Sequence, residues 1–506
     1  MVKYIGRRLL ISLVVLLVGS ILLYWLVTLS GDPLADLRES LDRNRDNQMR
    51  QRTLNMGLDK PWWERYGVWL KGVAGCFIGQ CDFGTDRAGI NVGAQMVTAA
   101  ASTLRLVTIA TFVAIIIGIG LGIVTAVRQY SGFDYAITFM AFLFFSLPVF
   151  WAAVLLKQYA AIEFNNWLAN PRISTTVMIV LGLIAGFVIQ LAVGGSLKRR
   201  LISAGATFAF VAGILFYFDA VSWFSQPSVG LPVFILASVG AAALLLGMTI
   251  GFENKKVLYS VGTTVGIGII TYAIIRGHLL SDPSWPKLLG AFAFAIAVGI
   301  ITGRLMGGFS RKQASGLGFS TALIMSGIAL MDLMLTNWVR YYAINKRPIP
   351  TVGEVTPNLN GDFWQSFIDV VTHLMLPTTV LMLISIAGYI RYTRASMLEV
   401  LNQDYIRTAR SKGLPERTVI TKHAFRNSLI PITTIVAFDF AGLIGGAVIT
   451  ESVFGWKGMG QLFQQGLAMV DPAPVMAFFA VTGTAAIVMN MLADIAYAFL
   501  DPRITR

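Results

Sequence analysis

Stretches of about 20 apolar residues recur along the whole chain, and each is long enough to cross a lipid bilayer as a helix. In the hydrocarbon of a bilayer, a backbone must satisfy its own hydrogen bonds, which only helices and closed barrels achieve. Barrel strands alternate apolar and polar residues, and these stretches do not. The sequence therefore predicts an all-α, polytopic transmembrane protein.

We count twelve predicted spans. The first follows Lys3, Arg7 and Arg8, and its apolar stretch exceeds the ~7–15 residues of a signal-peptide core, so we interpret it as a retained span that begins in the cytoplasm. Twelve spans return the C-terminus to the cytoplasm as well. The predicted spans cover Leu9–Leu29 and residues 103–127, 135–160, 175–193, 202–221, 231–251, 258–275, 288–306, 318–337, 371–390, 430–450 and 475–499.

The basic residues support this direction of crossing. The net charge of +14 comes from Lys and Arg residues, which accumulate in cytoplasmic loops of membrane proteins. No soluble basic domain remains that could grip a phosphate backbone, which argues against nucleic acid as a partner. The predicted inner loops carry Arg128, Lys198, Arg199, Arg200, Lys255, Lys256, Arg304, Arg311, Lys312 and a basic segment at 404–431.

The longest predicted exported segment covers residues 31–101. It contains both cysteines of the chain, Cys76 and Cys81, and a cluster of aromatic residues typical of a membrane interface. Outside the cell a cysteine pair can be oxidised to a disulfide, and two cysteines are too few for a metal site. We interpret Cys76 and Cys81 as a candidate disulfide.

The basic segment reads "DYIRTARSKGLPERTVITKHAFRNSLIP" and predicts a helix–turn–helix. We expect its first helix over about 398–412, ended by Gly413 in the left-handed conformation, with Pro415 at the start of the second helix. Basic side chains here could bind anionic lipid headgroups. However, Ala409 lies four residues before Gly413 and Tyr405 four residues before Ala409, so one face allows close approach, which favours docking into a partner protein.

At these residues the chain resembles the transmembrane permease subunits of binding-protein-dependent ABC importers, in the dipeptide/oligopeptide branch. Ala409 and Gly413 match the family's alanine and glycine, and "HAFR" at 423–426 replaces its I-x-L-P end. Thr408 and Arg407 replace an alanine and a glutamate of the broader family, which favours peptide importers over sugar importers. The resemblance extends to "SLPVFW", "HLMLPTTVLML", "RYTRASMLEVLNQDY", "ESVFGWKGMGQL" and the ending "DPRITR".

The resemblance implies three regions. Residues 1–164 and 347–506 resemble the two parts of a six-span permease, and residues 165–346 form an inserted block of six further spans. The insert carries few charged residues within its spans, so we interpret it as a peripheral scaffold or a partner-docking block. The coupling segment is expected at 391–429, with its helices at 398–427.

The resemblance also implies a division of labour in a bacterial cytoplasmic membrane. An exported binding protein would deliver the substrate, a second permease chain would complete the path, and two ATPase subunits would bind ATP and Mg²⁺. The sequence lacks the G-x-x-x-x-G-K-[ST] phosphate loop, so no nucleotide cofactor and no catalytic residue is predicted in this chain. The residues expected to contact the ATPase are Tyr405, Arg407, Ala409, Arg410, Gly413, Leu414 and Arg417.

A translocation-path role is predicted for residues near the eleventh span. Asp439 could face the path or pack against another helix, and Glu451 could guide the substrate or lie as an interfacial carboxylate. Gly445 and Gly446 would allow a close helix contact. An importer of nickel, haem or sugar in the same family remains an alternative, as does a twelve-helix secondary transporter, although buried charges such as Lys157 are few.

A membrane-embedded enzyme has the weakest support. The three histidines, His278, His373 and His423, are scattered and have neither metal-ligand nor triad spacing. No metal site is therefore predicted.

Overall fold

The computed structural model describes residues 2–193 and 195–500, which leaves the ending "DPRITR" outside the described residues. Within those two ranges the chain is helical, and the single β-type pairing is an isolated bridge between Thr85 and Asn91. The all-α prediction is confirmed.

The N-terminal part contains two long membrane helices and several short helices. Asn91 caps the longest of them by accepting a hydrogen bond from the Ala94 amide. The helices are α1 (Val2–Leu29), α2 (Ala35–Arg38), α3 (Arg45–Met56), α4 (Trp62–Ala74), α5 (Val92–Val127), α6 (Gly132–Ser146), α7 (Val149–Leu156) and α8 (Phe164–Leu168), with a 3₁₀ turn at Gly75–Ile78 and a π-helix at Lys157–Glu163.

Six long helices occupy the region predicted as an insert. Ser and Asn residues cap several of their N-termini; Ser174, for example, accepts from the Val177 amide. They are α9 (Thr175–Ala192), α10 (Leu197–Ala220), α11 (Gly230–Thr249), α12 (Lys255–Ser281), α13 (Trp285–Met306) and α14 (Arg311–Ile344), with 3₁₀ turns at Trp223–Ser225 and Gly308–Ser310.

The C-terminal part begins with the longest helix of the chain, which opens with a capping box between Asp362 and Gln365. Its helices are α15 (Phe363–Leu401), α16 (Asp404–Ser411), α17 (Glu416–Thr418), α18 (Phe425–Gly446), α19 (Val448–Phe454), α20 (Met459–Ala468) and α21 (Pro472–Leu500), with a π-helix at Val419–Ala424.

Eleven helices among the described residues are long and apolar enough to cross a membrane, and a bent pair makes twelve. The bent pair corresponds to the predicted third span, 135–160. Its two halves meet at 101° because the chain leaves the helical conformation at Leu147 and Pro148. Proline lacks the amide hydrogen and disfavours a helical residue before it, which breaks the span here. The span predicted at 135–160 is therefore a bent pair of helices.

Helices α5 and α15 of the permease part approach each other closely. A Cβ added to Gly118 would lie 2.6 Å from Tyr389 Cβ, and one added to Gly122 would lie 2.6 Å from Thr393 Cβ. Glycine is therefore required for these two helices to approach so closely. The buried residues around this crossing also include side chains of α18, α20 and α21.

The six helices of the insert region form two groups. Helices α9 and α10 form a hairpin that contacts α6, whereas α11 to α14 pack into a four-helix block beside α15. The Trp364 indole of α15 donates a hydrogen bond of 2.9 Å to the Leu279 carbonyl, which ties the block to the permease part. Two further hydrogen bonds join the segments before and after these six helices. The side-chain amide of Asn165 donates to the Ile349 carbonyl at 2.7 Å and accepts from the Ile349 backbone amide at 3.1 Å.

Candidate functional site

Helix α15 is longer than one membrane crossing requires. Its 39 residues give a length of roughly 58 Å, against a hydrocarbon core of about 30 Å. The helix ends at Leu401, so residues 398–401 belong to α15. The sequence had predicted that these residues begin the first coupling helix, and that boundary was wrong. The chain turns at Asn402 and at Gln403, whose backbone is extended, and α16 then begins at Asp404.

Helix α16 packs one face against the ends of the membrane helices. Ile406 and Ala409 are buried in a cluster with Met397 of α15, Ala126 of α5 and Val419. Ala409 therefore contacts its own chain, and its predicted role in the fit to an ATPase surface stays a prediction. The contact follows from the spacing: Ile406 and Ala409 lie three residues apart and form the apolar side of a short amphipathic helix.

The second half of the coupling segment is continuous with a membrane helix. Helix α17, the π-helix at Val419–Ala424 and α18 follow one another without a break, so one helical rod runs from Glu416 to Gly446. Of the two helices predicted for the coupling segment, only the first, α16, is a separate helix. The second is the start of the rod. Helix α16 is held between the end of α15 and the start of this rod, and the hydroxyl of Tyr405 accepts a hydrogen bond of 2.8 Å from the Asn427 side chain.

Gly413 forms the turn between α16 and α17. Its φ of +73° lies in the left-handed region, which confirms the predicted conformation, and a Cβ added there would meet nothing within 4 Å. Across the turn, Arg410 donates to both carboxylate oxygens of Glu416, at 3.0 and 2.6 Å. This hydrogen bond and the carboxylate charge raise the pKa of Arg410.

The predicted contact residues divide by exposure. The side chain of Ala409 is buried and that of Arg417 is half-buried. The others share an exposed position on the outer side of α16 and its turn, and they are Tyr405, Arg407, Arg410, Gly413 and Leu414. The surface available to a partner therefore consists of one aromatic ring, two guanidinium groups and an open turn.

A partly buried ion pair joins α15 to α6 near this segment, and sequence analysis missed it. Arg394 of α15 donates from Nε and Nη2 to the two carboxylate oxygens of Asp134 on α6, at 2.7 and 2.9 Å. Asp134 is 1% exposed and also accepts from the Tyr130 amide. Bidentate Arg–carboxylate pairs fix orientation as well as distance. Arg394 stands in the block "RYTRASMLEVLNQDY", which was the available signal.

Asp439 lies between two membrane helices. It accepts a hydrogen bond of 2.6 Å from the hydroxyl of Tyr389 on α15, so it joins α18 to α15. Gly445 has open space where a Cβ would stand, and the surroundings of Gly446 lie outside the described residues. The translocation-path role of these residues stays a prediction.

Glu451 is fully buried, which differs from the interfacial carboxylate considered from the sequence. It accepts hydrogen bonds from the Thr103 hydroxyl of α5, at 2.6 Å, and from the Gln461 amide, at 3.0 Å. A Cβ on Gly458 would lie 2.3 Å from its Oε1, so only glycine allows the loop to close over the carboxylate. The glycines and Glu451 of "ESVFGWKGMGQL" thus fix this loop to α5.

Two further sequence predictions concern the predicted outer side. The structure joins Cys76 and Cys81 in a disulfide. Lys157 donates a hydrogen bond of 3.1 Å to the Val453 carbonyl, so its ammonium group binds a backbone carbonyl at the end of α19. Among the described residues, no group of three or more His, Cys, Asp and Glu side chains is placed to hold a metal ion.

The sequence of this chain matches a known protein family. Residues 295–506 match the family described as binding-protein-dependent transport system inner membrane component. The match begins inside residues 165–346, so the C-terminal boundary of the insert stays a prediction. The oligopeptide transport system permease protein OppB of Mycobacterium tuberculosis is 32% identical over 261 residues, covering 71% of OppB and 51% of this chain. The chain belongs to the family of binding-protein-dependent inner membrane components.

Other similar proteins are also named as permeases of peptide transport systems. The dipeptide transport system permease protein DppB of Escherichia coli is 35% identical over 231 residues, covering 68% of DppB and 42% of this chain. The oligopeptide transport system permease protein AppB of Bacillus subtilis is 44% identical over 162 residues, covering 50% of AppB and 32% of this chain. This inner membrane component is a multi-pass permease of the bacterial cytoplasmic membrane.

Proposed function

We propose that this permease carries di- or oligopeptides into the cell as part of an ATP-driven importer. Relatives named for oligopeptide and dipeptide transport support the substrate class. In this proposal the termini and the turn at Gly413 lie in the cytoplasm. An exported binding protein delivers the peptide, and a second permease chain completes the path. Two ATPase subunits bind ATP and Mg²⁺ and act on this chain through α16.

The single observation that carries the proposal is how α16 is attached. Its inner face is packed on α5 and α15, and short connections join it to α15 on one side and to the rod beginning at Glu416 on the other. A partner that grips the exposed Tyr405, Arg407 and Arg410 therefore moves two membrane helices together. This geometry converts closure of an ATPase dimer into a change of membrane-helix tilt.

The glycine turn provides the sharpest test, because the chain contains a matched control. Gly413 and Gly251 have similar φ values of +73° and +78°, and an added Cβ meets nothing within 4 Å at either position. Both lie on the predicted cytoplasmic side, but Gly251 lies in the insert between α11 and α12. We expect Gly413→Trp to abolish ATP-driven peptide uptake and co-purification of the ATPase, and Gly251→Trp to preserve both.

A third variant separates backbone strain from loss of contact. Asparagine adopts the left-handed conformation more readily than other residues with a side chain, so Gly413→Asn keeps the turn while adding a small side chain. We expect it to retain more uptake and ATPase binding than Gly413→Trp. Normal uptake by Gly413→Trp, with the protein correctly inserted, would refute the coupling role of this turn.

The substrate class is tested independently of the coupling segment. The complex is reconstituted in proteoliposomes with its binding protein, and uptake of labelled dipeptides and oligopeptides is compared with uptake of nickel, haem and sugars. Peptide uptake that requires ATP supports the proposal. Uptake of another solute alone, or uptake without ATP, contradicts it.

A further inference from the structure

An apolar cavity of about 350 Å³ lies within the four-helix block of the insert region. Helices α11 to α14 form its walls, and Phe367 of α15 contributes to the lining. The volume is within the range of about 300–1,000 Å³ typical of sites for small organic ligands. No residue predicted for the coupling segment or the translocation path lines it, so the cavity is separate from the functional site described above.

The cavity has a buried floor and an exposed mouth. Tyr272 and Met325 on the floor are 5% and 4% exposed. On the mouth, Trp285, Leu289 and Phe292 of α13 are each more than 40% exposed. These mouth residues are apolar and belong to a membrane-spanning helix. The cavity therefore opens toward the lipid hydrocarbon.

The lining offers little to water. Three of its four hydroxyl groups already form hydrogen bonds within the protein: Thr264 with Thr302 at 2.7 Å, Tyr272 with Asp332 at 2.6 Å, and Ser326 with the Ala322 carbonyl at 2.9 Å. A buried water needs two to four polar partners, which this lining does not supply. If the cavity were empty, its lining side chains would lack dispersion contacts on that side. An apolar occupant needs no polar partners and restores those dispersion contacts.

The shape of the cavity suits a hydrocarbon chain. The lining residues on α12 run from Thr264 to Leu279, a distance of roughly 22 Å along the helix axis. One leaflet of the hydrocarbon core is about 15 Å thick, half of the bilayer value. The cavity is thus long enough to hold one chain that enters from the leaflet around it.

We propose that this cavity is a binding site for one acyl chain of a membrane phospholipid, which enters past the exposed α13 residues and lies against Tyr272 and Met325. The bound chain fills the block and strengthens its contact with α15 at Phe367. The site is independent of the peptide-import function proposed above.

The experiment uses the full chain in liposomes with a phosphatidylcholine that carries a diazirine midway along one acyl chain. After irradiation, mass spectrometry of peptides locates the adducts. Because Tyr272 and Met325 are buried, bulk lipid reaches them only through the cavity, so adducts at these two residues report its occupancy. We expect such adducts in the unmodified protein.

Substitutions that fill the cavity should remove the adducts at Tyr272 and Met325. Ala295 lines the cavity, whereas Ala209 of α10 is exposed. We expect Ala295→Trp to reduce the adducts at Tyr272 and Met325 by about tenfold or more, because excluding even two methylene groups from an apolar site costs that factor. The matched control Ala209→Trp should leave them unchanged. Ala291→Phe is a smaller cavity-filling variant for use if Ala295→Trp does not fold.

Three results would overturn the proposal. One is the absence of adducts at Tyr272 and Met325 in the unmodified protein, and another is equal labelling after the cavity is filled. The third is displacement of the probe by a hydrophobic peptide but not by excess phospholipid, which would indicate a peptide site. Because the liposomes contain no binding protein, labelling that appears only when an acylated binding protein is added is a case of the first result.

Discussion

The α5–α15 crossing of the permease part and the α13–α14 crossing of the insert region both depend on glycine, but their surroundings differ. In the insert region a Cβ on Gly299 would lie 2.3 Å from the Gly318 carbonyl oxygen, so backbone meets backbone. At the α5–α15 crossing the opposing atoms also include side chains, those of Tyr389 and Thr393. One of these side chains, Tyr389, continues into the hydrogen bond with Asp439.

The polar contacts separate the two crossings further. Asp332 in the insert region receives hydrogen bonds from Tyr272, Arg276 and the Gly230 amide, all within the same four-helix block. The polar groups around α5 and α15 instead connect distant parts, as Asp134 connects α6 to α15 and Glu451 connects a loop to α5. These polar contacts therefore join separate elements of the permease part, whereas those of Asp332 stabilise the insert region within itself.

The largest expected effect on uptake comes from separating α5 and α15. Gly122→Leu places a side chain against Thr393 and the Ile390 carbonyl, and overpacking of this kind costs about 1–3 kcal/mol. We expect uptake to be lost and the thermal unfolding temperature to fall. Gly120→Leu on the same helix is the control, because an added Cβ there meets nothing within 4 Å. Equal uptake by the two variants would contradict the importance of this crossing.

The next effect comes from breaking the Asp134–Arg394 pair. Removing one partner of a fully buried pair costs about 3–5 kcal/mol, and the cost here is lower because the Arg394 side chain is 27% exposed. We expect Asp134→Asn to reduce uptake by roughly tenfold, the factor that 1.4 kcal/mol represents. ATP hydrolysis should fall less than uptake, which marks a loss of coupling. Asp332→Asn is the counterpart in the insert region and should leave the ratio of uptake to hydrolysis unchanged.

Gly303→Leu tests the insert crossing. Its Cβ would lie 2.3 Å from the Ser315 backbone, so α13 and α14 must separate, at a cost of about 1–3 kcal/mol. We expect faster proteolysis at the turn around Gly308–Ser310 with only a modest loss of uptake. Gly316→Leu is the control, since open space surrounds that position. A loss of uptake as large as that of Gly122→Leu would show that the insert region shares the moving part.

The smallest effect concerns an exposed pair on the predicted exported side. The Arg52 side chain, through its hydrogen bond, lowers the pKa of Asp36. The ionised carboxylate stabilises this loop above the unfolded pKa, about 3.9, and the contribution is lost as the pH falls through the lower folded value. Because Asp36 is half exposed, we expect Asp36→Asn to change the unfolding free energy by less than about 1 kcal/mol. The difference from the unmodified protein should vanish at low pH, as measured by thermal unfolding at several pH values.

The sequence predicted the membrane spans and the turn at Gly413, but it did not predict which face of a helix packs against the rest of the chain. The spans follow from apolar stretches because bilayer thickness fixes helix length, and Gly413 follows from its position after a helix. The proline of "SLPVFW" was also a local signal for the break at Pro148. Spacing alone could not show that Ala409 faces its own chain, although Ile406 three residues earlier gave a signal. The burial of Glu451 depends on Thr103, 348 residues away, which no local pattern reports.

The unbroken rod from Glu416 has a mechanical consequence. Thirty residues of helix extend about 45 Å, so a pivot of five degrees at the Glu416 end would displace the other end by roughly 4 Å. The π-helical stretch near its base is a natural place for such a pivot, since these irregular turns often occur at functional sites. A small rotation at the base of the rod would thus become, at its far end, a displacement comparable to the spacing of neighbouring Cα atoms.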